Sequence, residues 1–155
     1  MSRLLSVIAT SVFLAMILAA CSDRHTAFGR FTPVPHGGWA YGDTLDIVAA
    51  SLVKGPVERR MHIGVVHSPD YPYRNLVLEV TYPDGKQLRR DTVNIELADA
   101  YGSWTGSGMG PSYQAEALVT QRAAIPDSCR ITVRQVMRVD TLRGVTSIGI
   151  LIDEP

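Results

Sequence analysis

Cysteine is scarce, charge of one sign is missing and no segment carries a helical stripe, and each of these absences narrows what the chain can be. Of 155 residues only Cys21 and Cys129 are cysteine. Cys21 closes an N-terminal leader, so Cys129 stands alone in the folded part and can form neither an intramolecular disulfide nor a cysteine-based metal cage, even in an oxidising compartment. Fifteen Lys and Arg oppose fifteen Asp and Glu. Without a basic excess there is no electrostatic footprint for sequence-independent nucleic-acid binding, and there is no acidic tail. The length suits one modest domain, which excludes a multidomain machine. What is present is apolar and turn-rich: 46% hydrophobic residues with 13 Gly and 9 Pro, a composition that folds rather than stays disordered.

The leader carries an address. Arg3 precedes an apolar run from Leu4 to Leu18, interrupted by Ser6, Thr10 and Ser11. That is the n-region and h-region of a secretory signal, and it is shorter than the ~20 residues a membrane-spanning helix requires. It ends in Leu18-Ala19-Ala20-Cys21, the pattern of a bacterial lipobox, in which small side chains fit a peptidase groove and the thiol takes diacylglycerol. The expected organisation is therefore a signal peptide over 1–20, a lipidated N-terminus and tether over 21–38, and a domain over 39–155. The tether assignment follows from the polar and turn-forming residues up to Pro33, Pro35, Gly37 and Gly38. Two or three acyl chains on Cys21, palmitate among them, hold a protein stably on a membrane that it does not cross. Ser22 after the Cys, with no Asp there, fits sorting to the outer membrane, facing the periplasm.

After the tether the dominant period is two. Strands are expected over Thr44 to about Leu52, Arg60 to His67, Asn75 to Tyr82, a hairpin return through Gln87, Val93 and Leu97, Ile131 to Val139, and Ser147 to Asp153. The stretch from Tyr113 to Ala124 is ambiguous. Seven or eight short strands with one apolar face each predict an all-β antiparallel sandwich, jelly-roll or immunoglobulin-like.

Residues that could carry chemistry do not converge. The run Gly102 to Gly110 lacks the Gly-Lys-Ser/Thr of a phosphate loop and the βαβ setting of a dinucleotide site, and reads as a glycine-rich turn. None of Ser103, Ser107 and Ser112 has both glycines of a nucleophile elbow. His62 and His67 point to opposite faces of one strand and read as solvated or turn histidines, and Asp43 and Asp46 do not pair. Arg59-Arg60 and Arg89-Arg90 read as solvated strand ends that discourage edge pairing. No catalytic residue, metal ligand or cofactor is implied. Trp39, Tyr41, Tyr71, Tyr73, Tyr82, Tyr101, Trp104 and Tyr113 remain, several of them in expected loops, where Tyr and Trp form protein interfaces or stack on sugar rings.

The order of segments resembles the gliding-motility lipoprotein GldH family over most of the mature length. The likeness is carried by the lipobox; Trp39 followed by Asp43; Tyr71-Pro72-Tyr73-Arg74-Asn75-Leu76; Asp91-Thr92; Leu97-Ala98-Asp99 followed by Gly102, Trp104, Gly106 and Gly108; and Gln135-Val136-Met137-Arg138 followed by Leu142-Arg143-Gly144-Val145 and Ile148-Gly149-Ile150. The chain departs from the pattern at Ile125-Pro126-Asp127-Ser128-Cys129. The resemblance implies a non-enzymatic envelope lipoprotein, an accessory or scaffold of a gliding-motility or linked secretion machinery, bound to a membrane through Cys21 and to other envelope proteins. Tyr71, Tyr73, Asn75 and Trp104 are the expected partner-binding residues. A glycan-binding envelope lipoprotein using the same aromatics is the alternative.

Overall fold

The structure, a computed structural model, describes residues 26–50, 57–108 and 110–153. The signal peptide, the lipobox with Cys21 and the expected strand end at Leu52 lie outside the described residues. The strands are β1 (Thr26–Pro33), β2 (Trp39–Ala40), β3 (Thr44–Ala49), β4 (Val57–His67), β5 (Asn75–Asp84), β6 (Gln87–Glu96), β7 (Tyr113–Ile125), β8 (Cys129–Gln135), β9 (Thr141–Leu142) and β10 (Val145–Asp153).

Two antiparallel sheets, ordered β1-β10-β4-β7 and β3-β8-β5-β6, enclose one core, and β2 pairs with β9 in a separate ribbon. Apart from the β5–β6 hairpin, each of the eight main strands is followed by one in the opposite sheet. This is the double Greek key of a jelly roll. An immunoglobulin arrangement pairs its first two strands in one sheet, whereas here β1 and β3 lie in different sheets.

The core follows from strand parity. Met61, Ile63 and Val65 of β4 and Ile148, Ile150 and Ile152 of β10 face Leu76, Leu78 and Val80 of β5 and Ile131 and Val133 of β8, all fully buried. Each contributes roughly 1.5–3 kcal/mol relative to exposure. Tyr82 continues the buried face of β5 and donates its hydroxyl to Asp91. Burial first, and that hydrogen bond second, push its pKa up to about 12.

The two outer faces differ. On the β3-β8-β5-β6 sheet, cross-strand neighbours Thr44, Arg134, Glu79 and Thr92 make one row and Asp46, Thr132, Thr81 and Arg90 the next. Arg134 grips Glu79 through two bonds of 2.7 and 3.1 Å, and Asp46 accepts from Arg130 at 3.0 Å and Thr132 at 2.9 Å. The Arg134 hydrogen bonds hold the Glu79 carboxyl below its ordinary range. On the β1-β10-β4-β7 sheet the rows are Pro33, Ser147, Val66 and Gln114; Phe31, Gly149, Gly64 and Glu116; and Gly29, Leu151, His62 and Leu118. Here Phe31 lies across the glycine pair. A Cβ at Gly149 would stand 2.6 Å from the ring and one at Gly64 2.7 Å.

Four expectations are corrected. The stretch assigned to the tether folds as β1 from Thr26, so the sandwich begins five residues after Cys21. Its only large exposed apolar side chain is Phe31, and Thr, Arg and Pro break the alternation that would have marked it. The ambiguous stretch from Tyr113 to Ala124 belongs to β7, whose pairing with β4 shifts register around Arg59 and Met61, so no single parity fits it. That same irregularity turns Arg59 inward, where it is buried rather than solvated. β8 ends at Gln135, and the parity that seemed to continue to Val139 is that of a loop. The buried Gln135 amide accepts from Met137 N at 2.9 Å and donates to Val139 O at 3.3 Å, folding that loop back.

Candidate functional site

Chain direction places the connections 34–43, 68–74, 97–112 and 136–144 at one end of the sandwich, and Thr26, Asp153, the β5–β6 turn and the β7–β8 turn at the other. The connections at the first end hold most of the stretches that carry the family likeness, Trp39 with Asp43 and Tyr71 to Asn75 among them.

The 68–74 loop is built on Tyr71. Tyr71 is buried, its hydroxyl donates to Asn75 O at 2.9 Å, and Gly144 lies against its backbone so closely that a Cβ there would approach Tyr71 Cα to 2.7 Å. Gly144 has φ of 87°, a left-handed conformation that favours glycine. Its carbonyl accepts from Ser68 N at 2.8 Å. Burial, reinforced by the neighbouring Tyr73, pushes the Tyr71 phenol well above its ordinary pKa. Tyr71 is therefore an internal strut, and Tyr73, edge-on to it at 5.7 Å between centroids and 36% exposed, is the ring that reaches solvent.

The 97–112 loop is joined to it through one carbonyl. Arg74 O accepts from Leu97 N at 2.8 Å and Ala98 N at 3.0 Å. Asp99 Oδ1 then accepts from Tyr101 N at 2.8 Å and Ser103 N at 2.9 Å, a local turn that satisfies two backbone donors and leaves the Tyr101 ring 94% exposed at the tip. Farther on, Ser107 and Gln114 exchange both backbone hydrogen bonds, 2.9 and 2.7 Å. This lays the glycine-rich run along the open edge of β7. A Cβ at Gly106 would meet Gln114 O at 2.4 Å and one at Gly108 would meet Ser112 O at 2.3 Å. The glycines thus permit a backbone-to-backbone approach that covers the edge at the start of β7.

Trp104 is half-buried and turns inward onto His67, 4.6 Å away and edge-on, with Tyr113 stacked on the same imidazole at 5.7 Å. His67 is fully buried, not solvated as expected; only the opposite orientation of His62 agrees with the strand reading. The signal was available, since His67 shares parity with Met61, Ile63 and Val65. His67 Nδ1 lies 3.0 Å from Ser68 O, the geometry of an N–H donating to a carbonyl.

Of the expected partner-binding residues, Tyr73 is exposed and Asn75 half-buried, whereas Tyr71 is buried beside Tyr73 and Trp104 packs inward on His67. Asn75 Nδ2 donates to Asn94 Oδ1 at 2.7 Å. Around this pair lies an open depression of about 320 Å³ lined by Arg74, Asn75, Asn94, Glu96 and Ala98; Glu96 also borders a second, of about 480 Å³, that runs past Thr105 and Ser107 to Gln114. Sequence reasoning missed Asn94 and Glu96, which alternate with buried Val93 and Ile95 and carry no motif of their own. Among the described residues no group of three or more His, Cys, Asp or Glu could hold a metal ion. The surface offers amides, the carboxylates of Glu96 and Glu116, one guanidinium and phenol rings, which is the chemistry of recognition.

The family model described as GldH lipoprotein matches residues 26–152. The chain belongs to the GldH lipoprotein family. That membership identifies an envelope lipoprotein related to gliding motility. No curated protein matches this GldH-family chain. Among solved structures, the CBM22-1–GH10 modules of the N-terminal endo-1,4-beta-D-xylanase 10B of Clostridium thermocellum complexed with xylohexaose align at 13% identity and a TM-score of 0.33, covering 84% of this chain and 28% of that one. The structure of infectious bursal disease virus Gx strain aligns at 11% identity and a TM-score of 0.26, covering 83% and 32%. The chain thus spans under a third of each, and at these scores neither likeness bears on what the GldH-family domain does.

Proposed function

We propose that this GldH-family protein is a non-enzymatic scaffold: a lipoprotein cleaved after Ala20, acylated on Cys21 and held at the outer membrane facing the periplasm. Its loop end docks to other envelope proteins of a motility or secretion machinery. The observation that carries the reading is the gathering of the family's landmark loops at the end of the sandwich opposite Thr26, where the anchor enters. Cross-braced loops lose little entropy on binding, and here Arg74 O ties two of them together. The exposed Tyr73 and Tyr101 rings and the Asn75–Asn94 pair supply aromatic area and hydrogen-bonding groups of the kind protein interfaces use.

The test is affinity recovery of the tagged, lipidated protein from native membranes with crosslinking, using Cys21→Ser as the soluble control and Tyr73→Ala with Tyr101→Ala as the surface variant. Tyr101 is 94% exposed and Tyr73 36%, so the variant should lose about 2 kcal/mol, nearly all of it at Tyr73, stay folded, and lose its partners. If the folded variant recovers every protein that the wild type does, the loop-end surface is wrong. If the wild type brings down no protein and its Trp emission responds to envelope sugars, the glycan-binding alternative replaces the scaffold.

A further inference from the structure

We propose that the outer face of the β1-β10-β4-β7 sheet lies against the lipid bilayer, so that the sandwich is held flat and its loop end points along the membrane. The inference rests on the reading of Cys21 as the anchor.

Reach comes first. Thr26 follows Cys21 by five residues, and a fully extended chain advances at most about 3.6 Å per residue, so the start of β1 stays within about 18 Å of the acylated residue. A nine-residue strand such as β10 is about 30 Å long at ~3.3 Å per residue. The Thr26 end of the domain therefore stays close to the surface, and the parts of the domain that can settle on the lipid differ in what they would lose. The tip beside Thr26 presents charge: Glu58 beside Arg122, and Arg89 beside Asp84. The outer face of the opposite sheet is a lattice of ion pairs and threonines, and its two exposed apolar side chains, Val48 at 44% and Leu88 at 73%, stand apart on the two edge strands β3 and β6.

The sheet that begins at the anchor is different. Phe31 is 38% exposed and Leu118 37%, and Leu151 and Val66, both half-buried, lie between them over a floor made by Gly64 and Gly149. The titratable groups on this face are Glu116 and His62, with Asp153 at its rim 3.4 Å from His62. Arg60, bonded to Gln121 at 3.0 Å, stands toward the charged tip, where a long side chain can keep its guanidinium among headgroups. Placing this face on a headgroup layer removes apolar surface from water and desolvates few charges, whereas the charged tip or the ion-paired face of the opposite sheet would desolvate more. Interfacial burial of this kind sinks apolar side chains about 5–10 Å into the headgroup and acyl boundary.

The experiment places a reporter on each face. Leu118→Trp and Val48→Trp, each in the lipidated protein purified from membranes, are reconstituted into vesicles of phosphatidylethanolamine and phosphatidylglycerol with and without brominated acyl chains. Mass spectrometry first establishes acylation of Cys21, and thermal melts establish that both variants fold. Emission added by the Leu118→Trp reporter should shift to the blue and be quenched by bromine, and that added by the Val48→Trp reporter should do neither. Quenching of both reporters, or of neither, in acylated protein overturns the orientation and leaves the anchor standing. A chain without acyl mass on Cys21 removes the anchor and the proposal together. Protection of the Leu118→Trp reporter in detergent solution that grows with protein concentration would assign the face to a second copy of the chain and also overturn it.

Discussion

Replacing Gly149 by Ala should destabilise the wild-type protein and stabilise it once Phe31 is gone. The reversal of sign is the test of how the outer face is built. Phe31 is 38% exposed, so of the 150–250 Å² an aromatic ring can bury it hides about 120 Å². At ~25 cal/mol per Å² that is about 3 kcal/mol, and about 2 kcal/mol once the compactness of the unfolded chain is allowed for. Phe31→Ala should therefore cost about 2 kcal/mol, with no cavity penalty, because the vacated place opens to water. The Cβ of Gly149→Ala would stand 2.6–2.7 Å from three ring atoms and must displace the ring, at a cost of about 1–3 kcal/mol. In the Phe31→Ala background that obstacle is absent, and Ala in a strand gains about 0.5–1 kcal/mol over Gly. Urea unfolding of the Cys21→Ser form gives all four corners of the cycle, and an unchanged m value licenses the comparison. A coupling below about 0.5 kcal/mol, the ordinary error of additivity, would refute the account of Phe31 as the cover of the glycine pair.

Two further outcomes follow from the outer face of the β3-β8-β5-β6 sheet and from the loops. Glu79 has a depressed pKa in the folded state because Arg134 donates to it, so its contribution is present above the unfolded carboxylate pKa of ~4.3 and disappears as pH falls through the folded value; Glu79→Gln should lower Tm at pH 7, and the difference should vanish in strong acid, whereas a difference that persists there would contradict the assignment. Gly144→Ala meets both a positive φ and the Tyr71 backbone at 2.7 Å, so it should cost about 1–3 kcal/mol and shift Trp104 emission as the His67–Trp104 contact is disturbed; a folded variant with unaltered emission would show that Gly144 does not hold the 68–74 loop.

Strands with a full apolar side were legible from the sequence. Leu76, Leu78, Val80 and Tyr82 mark β5, and Met61, Ile63 and Val65 mark most of β4, because parity decides burial when one face meets the core. What escaped reading lies where another force sets the geometry. β1 is an edge strand whose one large exposed apolar side chain packs on glycines of two neighbouring strands, a contact no local pattern announces. β7 is rich in alanine and changes parity at its irregularity. Loop aromatics were the least legible: Tyr71 and Trp104 look alike in sequence to Tyr73 and Tyr101, yet the first pair is drawn inward by Gly144 and His67 while the second pair stays outside. Chain direction alone brings the family landmarks to one end, and that could have been deduced once the strand order was known.

The single pairing of β1 also decides how the domain bears mechanical load. Force entering at Thr26 and resisted at the loop end runs parallel to β1, along the ladder that joins Thr26 through Pro33 to Asp153 through Ser147. Those backbone bonds are then loaded together in shear instead of being opened one after another from a free end. A protein tied to a membrane at one end and to a moving partner at the other would in this way transmit tension through its edge strand without unzipping it.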